Sequence, residues 1–219
     1  MKKMIYFYDN KKNMSPVSLF PHDVRKEQLL GAFLDGLYQE LGMHFERVTD
    51  KEMQHRGVDI IVTRDGQRFL VDEKAQLDYL NVSMPTFAFE IGGFREEEHK
   101  MGWLFDAKKR TTHYMLITDI YLKEGKQLRS AEDIASVCLL WLNREKLITF
   151  LAGRGLDRAR CELAEQEARE RGTNGRIATG QRGLYFFLSA QKAEAPFNIV
   201  ITREHLLKIG KQLFPPVRP

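Results

Sequence analysis

Asp65-Gly66 separates two β-rich runs, Val58 to Arg64 and Gln67 to Asp72. This dipeptide favours a two-residue type I′ loop, so the segment is expected to form a hairpin of fixed register. With Asp65 and Gly66 as the loop, Arg64 faces Gln67, and counting outward sets Asp59 directly opposite Asp72. Side chains alternate along a strand, so Lys74 and Gln76 share the face of Asp72. Val58, Ile60, Val62, Phe69 and Val71 form the opposite, apolar face, and Glu73 points away from the acid pair.

Two carboxylates held roughly 5 Å apart across a ladder repel one another unless a positive charge lies between them. A hard divalent cation answers this repulsion. Mg²⁺ takes one or two protein carboxylates and keeps coordination positions for water and phosphate oxygens. The neighbouring Lys74 is then placed to contact a phosphate or to help deprotonate an attacking water. The bland reading is a solvated Asp72–Lys74 charge pair on an exposed sheet face, but it leaves the like-charged Asp59 opposite Asp72 unexplained.

An aspartate at a strand end, a hairpin and then Asp72-Glu73-Lys74 resembles the active site of the PD-(D/E)xK nuclease superfamily, which includes restriction endonucleases and Holliday-junction resolvases. The resemblance covers about residues 23 to 91 and departs from the pattern at Gly57-Val58, where a proline often precedes the first aspartate. It implies an α/β fold, with a restriction endonuclease-like core whose central mixed β-sheet is flanked by helices. It also implies Mg²⁺-dependent hydrolysis of phosphodiester bonds in DNA, with Mn²⁺ as a substitute ion. Asp59 and Asp72 would bind the metal.

Val24 to Leu41 has a helical pattern, with Asp23 as N-cap, Gly42 as stop and the stripe Glu27, Leu30, Leu34, Leu37, Leu41. Resolvase-like members carry a glutamate near the start of this helix, so the resemblance makes Glu27 the third carboxylate and a metal ligand, ahead of Glu40. Without it, Glu27 reads as a first-turn acid favoured by the helix dipole. Gln76 matches a glutamine that some members carry just after the lysine, where it would steady the lysine or the scissile phosphate.

With 43% hydrophobic residues, the 219-residue chain can bury a substantial core. It is read as a single nuclease-like domain over 1–219, with the core at about 23–120 and a C-terminal elaboration at about 121–219. No apolar run has the length of a membrane span and Met4 to Tyr8 is too short for a signal-peptide core, so a cytoplasmic protein is expected. Cys138 and Cys161 suggest neither a disulfide framework nor a zinc site, and the six histidines show no metal-ligand spacing. A net charge of +4 does not by itself establish nucleic-acid binding.

Strands are expected at Met4 to Tyr8, His44 to Val48, Thr86 to Ile91, His113 to Thr118, Ala135 to Leu142, Leu184 to Ser189 and Phe197 to Thr202. Thr49 to Arg56 and Gly92 to Lys100 read as loops, the latter solvated and mobile. Glu90 falls either near the site or on the sheet's polar side. Helices are expected at Arg144 to Ala152, at Leu156 to Arg171 with Leu156, Ala159, Leu163 and Ala164 on its apolar side, and from Thr202 or Arg203 to Leu213. No helical crossover is evident after Lys74. The glycine- and arginine-rich stretch 169–183 reads equally as a DNA-binding loop, through Arg171, Arg176 and Arg182, or as an ordinary connection. The alternative to catalysis is an inactive nuclease fold that binds DNA or assembles into a complex. The sequence specifies no interface for a homodimer, and it keeps RNA beside DNA as a substrate.

Overall fold

The structure is a computed structural model that describes residues 20–95 and 97–214. The expected first strand, Met4 to Tyr8, and the closing Pro215-Pro216 lie outside these residues. The first helix, α1, is Phe20–Glu40. It begins before Asp23, so Asp23 lies within the helix instead of capping it. Leu30, Leu34, Leu37 and Tyr38 are buried, as the apolar stripe requires. Gly42 closes the helix at φ 65°, and the Met43 N–H reaches back to the Tyr38 carbonyl at 2.9 Å.

Strand β1, His44–Arg47, is followed by a short helix, α2, Lys51–His55. The expected charged loop therefore contains a helical turn, because the Asp50 side chain accepts from the Met53 N–H and supplies a cap. Strands β2 (Ile60–Arg64) and β3 (Gln67–Ala75) form the anticipated hairpin, pairing Arg64 with Gln67 and Ile60 with Val71. Asp65 (φ 52°) and Gly66 (φ 73°) are both left-handed, as a type I′ turn requires. Ile60, Val62 and Val71 are buried against α1, with Phe69 packed beside them.

Strands β4 (Thr86–Arg95) and β5 (Glu98–Met101) pair as a second hairpin, which corrects the expectation of a mobile loop at 92–100. Then come β6 (His113–Leu122), β7 (Ile134–Asn143), α3 (Arg144–Ala152) and α4 (Arg158–Glu170). α4 buries Cys161, Ala164, Glu165 and Ala168, whereas Ala159 and Leu163 are exposed, so its inward stripe is displaced from the expected one. Glu165 lies inward because Arg169 and His99 bind its carboxylate. Strands β8 (Gly175–Ala178), β9 (Leu184–Leu188) and β10 (Phe197–Thr202) lead to α5, Arg203–Ile209. Part of the glycine-rich stretch is thus an edge strand. The last helix is shorter than expected and gives way to β11, Lys211–Phe214. At Gly210 a Cβ would lie 3.0 Å from the Trp141 carbonyl, a backbone approach that glycine permits.

The strands form two sheets. A six-stranded mixed sheet has the order β1-β2-β3-β6-β7-β11, in which only β3 and β6 run parallel, and a five-stranded antiparallel sheet has the order β5-β4-β10-β9-β8. The chain passes from β3 to β6 through the β4–β5 hairpin, with no helix among the described residues of that connection. Each sheet draws strands from both halves of the chain. α1 covers one face of the mixed sheet, burying Met115, Ile117, Val137 and Leu139. On the opposite face Tyr114, Leu116, Leu140 and Leu142 share a core with Phe89, Phe186 and Ile199 of the antiparallel sheet and with α3 and α4. Among the described residues no helix is long and apolar enough to cross a membrane.

Candidate functional site

The hairpin register brings Asp59, just before β2, and Asp72, within β3, together one step beyond the Ile60–Val71 pair. The Glu73 N–H donates to Asp59 Oδ2 at 2.8 Å, which fixes the first carboxylate against the strand carrying the second. Asp72 is only 2% exposed, and Lys74 Nζ donates to its Oδ1 at 2.6 Å. Gly57 closes the other side. A Cβ there would meet Thr111 Oγ1 at 2.5 Å and Asp72 Oδ2 at 3.4 Å, and the Thr111 hydroxyl donates to the Gly57 carbonyl at 2.6 Å. The Lys74 ammonium lies 5.1 Å from the centre of the Trp103 ring.

Burial raises the Asp72 carboxyl to a pKa of about 7; Lys74 opposes the shift and the Asp59 charge adds to it. Burial acts to lower the Lys74 pKa, but the charges of Asp72, Asp59 and Glu90 outweigh it and the net shift is upward. Lys74 is therefore a cation at neutral pH. Glu90 belongs to the electrostatics of the site even though it stands on the other sheet.

Glu73 faces α1, as alternation dictates. Its carboxylate accepts from the Tyr38 hydroxyl at 2.7 Å and pairs with Arg47, which also binds Asp35 at 2.7 Å. Burial raises the Glu73 pKa, against the opposing pull of Arg47. This network is the part of the site that sequence patterning misses. The available signal is Glu73 itself, a carboxylate assigned to a buried face, where an acid requires a cationic partner.

Asp59, Glu73, Lys74 and Arg47 line a cleft of about 420 Å³, and Glu27 lines it from α1. Asp72 lies behind Lys74 and is not among the lining residues. Glu27 also lines an adjoining groove of about 490 Å³, which contains Gln76. Gln76 donates through Nε2 to the Thr86 carbonyl at 2.9 Å, so its amide is anchored to β4 and does not steady Lys74. The structure thus brings Asp59, Asp72 and Lys74 together, places Glu27 across the cleft and turns Gln76 toward the second sheet. Among the described residues no three acid, histidine or cysteine side chains converge as a metal-holding group.

Arg171, Arg176 and Arg182 are exposed and line neither cleft. Arg171 lies 3.9 Å from Glu167, and the Arg176 guanidinium is 4.0 Å from the centre of the Tyr185 ring. No protein-family model, curated protein or solved structure matches the chain.

Proposed function

We propose that this protein is a Mg²⁺-dependent nuclease that hydrolyses phosphodiester bonds in DNA and is built on a restriction endonuclease-like core of α1, β1 to β3 and β6. The observation that carries the reading is the juxtaposition of Asp59 and Asp72 with the lysine two residues further along β3. The donor set suits a hard cation: both acids offer oxygens, and the upward shift of Asp72 includes a contribution from Asp59 that a cation between them would relieve. Asp59 and Asp72 would hold the ion, and Glu27 lines the same cleft as Asp59 from α1. When bound, Mg²⁺ supplies Lewis-acid polarisation of the phosphate and a lowered pKa for a water nucleophile.

The protein's own residues divide the remaining work. Lys74, held cationic by three carboxylates, exchanges its contact with Asp72 for a phosphate oxygen and orients the scissile group. Gly57 and Thr111 exclude water from one side of Asp72. The Glu73–Arg47–Tyr38 network holds β3 against α1 and so fixes the separation between Glu27 and the acid pair. Gln76 joins β3 to β4 at the rim of the adjoining groove.

One observation favours a second reading, an inactive nuclease fold that binds DNA: Lys74 already satisfies the buried Asp72 carboxylate. Cleavage of supercoiled and linear DNA with Mg²⁺ separates the two. Catalysis predicts that cutting is lost in Asp72→Ala and in the absence of divalent metal. DNA binding indifferent to both, with no cutting by the unaltered protein, would establish the second reading.

A further inference from the structure

The outer face of the antiparallel sheet, away from its core, can be read from the register. Arg176 of β8 pairs with Phe187 of β9, and Phe187 with Asn198 of β10; in the next row Ala178 pairs with Tyr185 and Tyr185 with Val200. Their alternating neighbours Phe186, Leu188 and Ile199 point into the core. Two aromatic rings therefore stand side by side on an outer sheet face among smaller side chains. Phe187 is 38% exposed, a level at which an aromatic ring on a sheet is available to a partner. Tyr185 carries the Arg176 guanidinium stacked over its ring.

Tyr185 and Phe187 also form one wall of the groove adjoining the candidate catalytic cleft. Exposed Tyr79 and half-buried Gln76 line the groove as well, Lys192 and Lys26 contribute positive charge beside the acids Asp78 and Glu27, and Glu27 belongs to both cavities. Aromatic rings offer stacking surfaces to unpaired bases and interleaved cations follow the phosphates, the combination by which sheets bind single strands without reading sequence. A duplex buries its base faces and cannot use such rings.

We propose that this face is a binding platform for single-stranded DNA, with bases stacked on Phe187 and Tyr185, phosphates held by Arg176 and Lys192, and the strand leading through the groove toward Glu27 and the acid pair. The preferred substrate is then DNA with an unpaired segment. This last step rests on the nuclease reading, whereas binding to the platform does not.

The test is fluorescence anisotropy of a labelled oligothymidine and of a duplex of equal length in EDTA, so that binding is read without metal-dependent cutting. The unaltered protein is expected to bind the oligothymidine more tightly. Phe187→Ala is expected to weaken that binding by about ten-fold or more, the scale of one lost base–aromatic stack. Tyr185→Phe, which keeps the ring, is expected to retain it, and thermal melts of both variants report that they are folded. Folded Phe187→Ala binding oligothymidine as tightly as the unaltered protein would overturn the platform, as would a preference of the unaltered protein for duplex. Mg²⁺-dependent cutting of DNA by the unaltered protein is scored separately. Cutting without ring-dependent binding removes the platform alone, and ring-dependent binding without cutting removes the nuclease reading alone.

Discussion

Asp72 carries the chemistry of the site and also a pH dependence. Its pKa in the fold, about 7, lies well above the ordinary carboxyl value of 3.8. The folded state therefore binds a proton that the unfolded chain releases, and the sign follows: the stability this group contributes is fully present below the ordinary value and is lost as pH rises through about 7. Thermal melts in metal-free buffer are expected to show the wild type losing stability relative to Asp72→Asn between pH 4 and 8. Near 1 kcal/mol corresponds to about 2–4 °C in a chain of this size. A constant difference between the two melting temperatures across that range would contradict the raised pKa. Activity has the opposite slope, since a proton and a cation compete for Asp72: at limiting Mg²⁺ cutting is expected to rise with pH, and raising Mg²⁺ is expected to move that rise to lower pH. Lys74→Met, which keeps the stem and removes the charge, is expected to lower kcat by about 100-fold or more, the scale of one lost electrostatic stabiliser; single-turnover cleavage checks this.

The Arg47–Glu73 pair joins β1 to β3 through a carboxylate whose side chain is only 13% exposed, and Tyr38 and Asp35 tie the pair to α1. Arg47→Ala would leave Glu73 buried without its cation, at a cost of about 3 kcal/mol, reduced to the extent that water reaches the vacated position. Urea unfolding with an unchanged m-value measures that loss, and a variant as stable as the wild type would show that Tyr38 alone satisfies Glu73. The β2–β3 hairpin was legible in the sequence because its information is local. Asp65-Gly66 sets the turn, alternation sets the faces, and together they place Asp59 opposite Asp72. Other elements follow distant partners. Gly92 to Lys100 reads as a loop in isolation, yet its first residues extend β4, where Gly92 pairs with Phe197 across the other half of the chain. Gly92 also leaves the space that the Glu165 carboxylate fills. Leu213 and Phe214, expected at or beyond the end of a helix, pack instead on the α1-side core once Gly210 lets the chain turn along β7.

Across the whole molecule, the two sheets share one core in which Phe89 of β4 meets Tyr114 of β6 edge-on, with centroids 6.2 Å apart. Asp119, buried in the bulged part of β6 at φ 49°, pairs with Arg203 at the start of α5 and so ties the mixed sheet to the end of β10. Unfolding is expected to be a single transition, with tryptophan fluorescence, which reports on Trp103 beside the shared core and Trp141 beside the α1 core, coinciding with far-UV circular dichroism. Separate midpoints would show that the sheets unfold independently. The sequence indicated an α/β chain with an acid pair on a hairpin, but the pairing of β4 with β10 has no local signature, so the second sheet and the groove beside Glu27 emerge only in three dimensions. The decisive observation is calorimetric titration of Mg²⁺ into the wild type and into folded Asp72→Asn, with DNA cleavage assayed on the same samples. Metal binding and cutting present in the wild type and lost together in the variant is the expected result. Full cutting by Asp72→Asn, or no Mg²⁺ bound by the folded wild type, would contradict the assignment of Asp59 and Asp72 as a metal-binding pair.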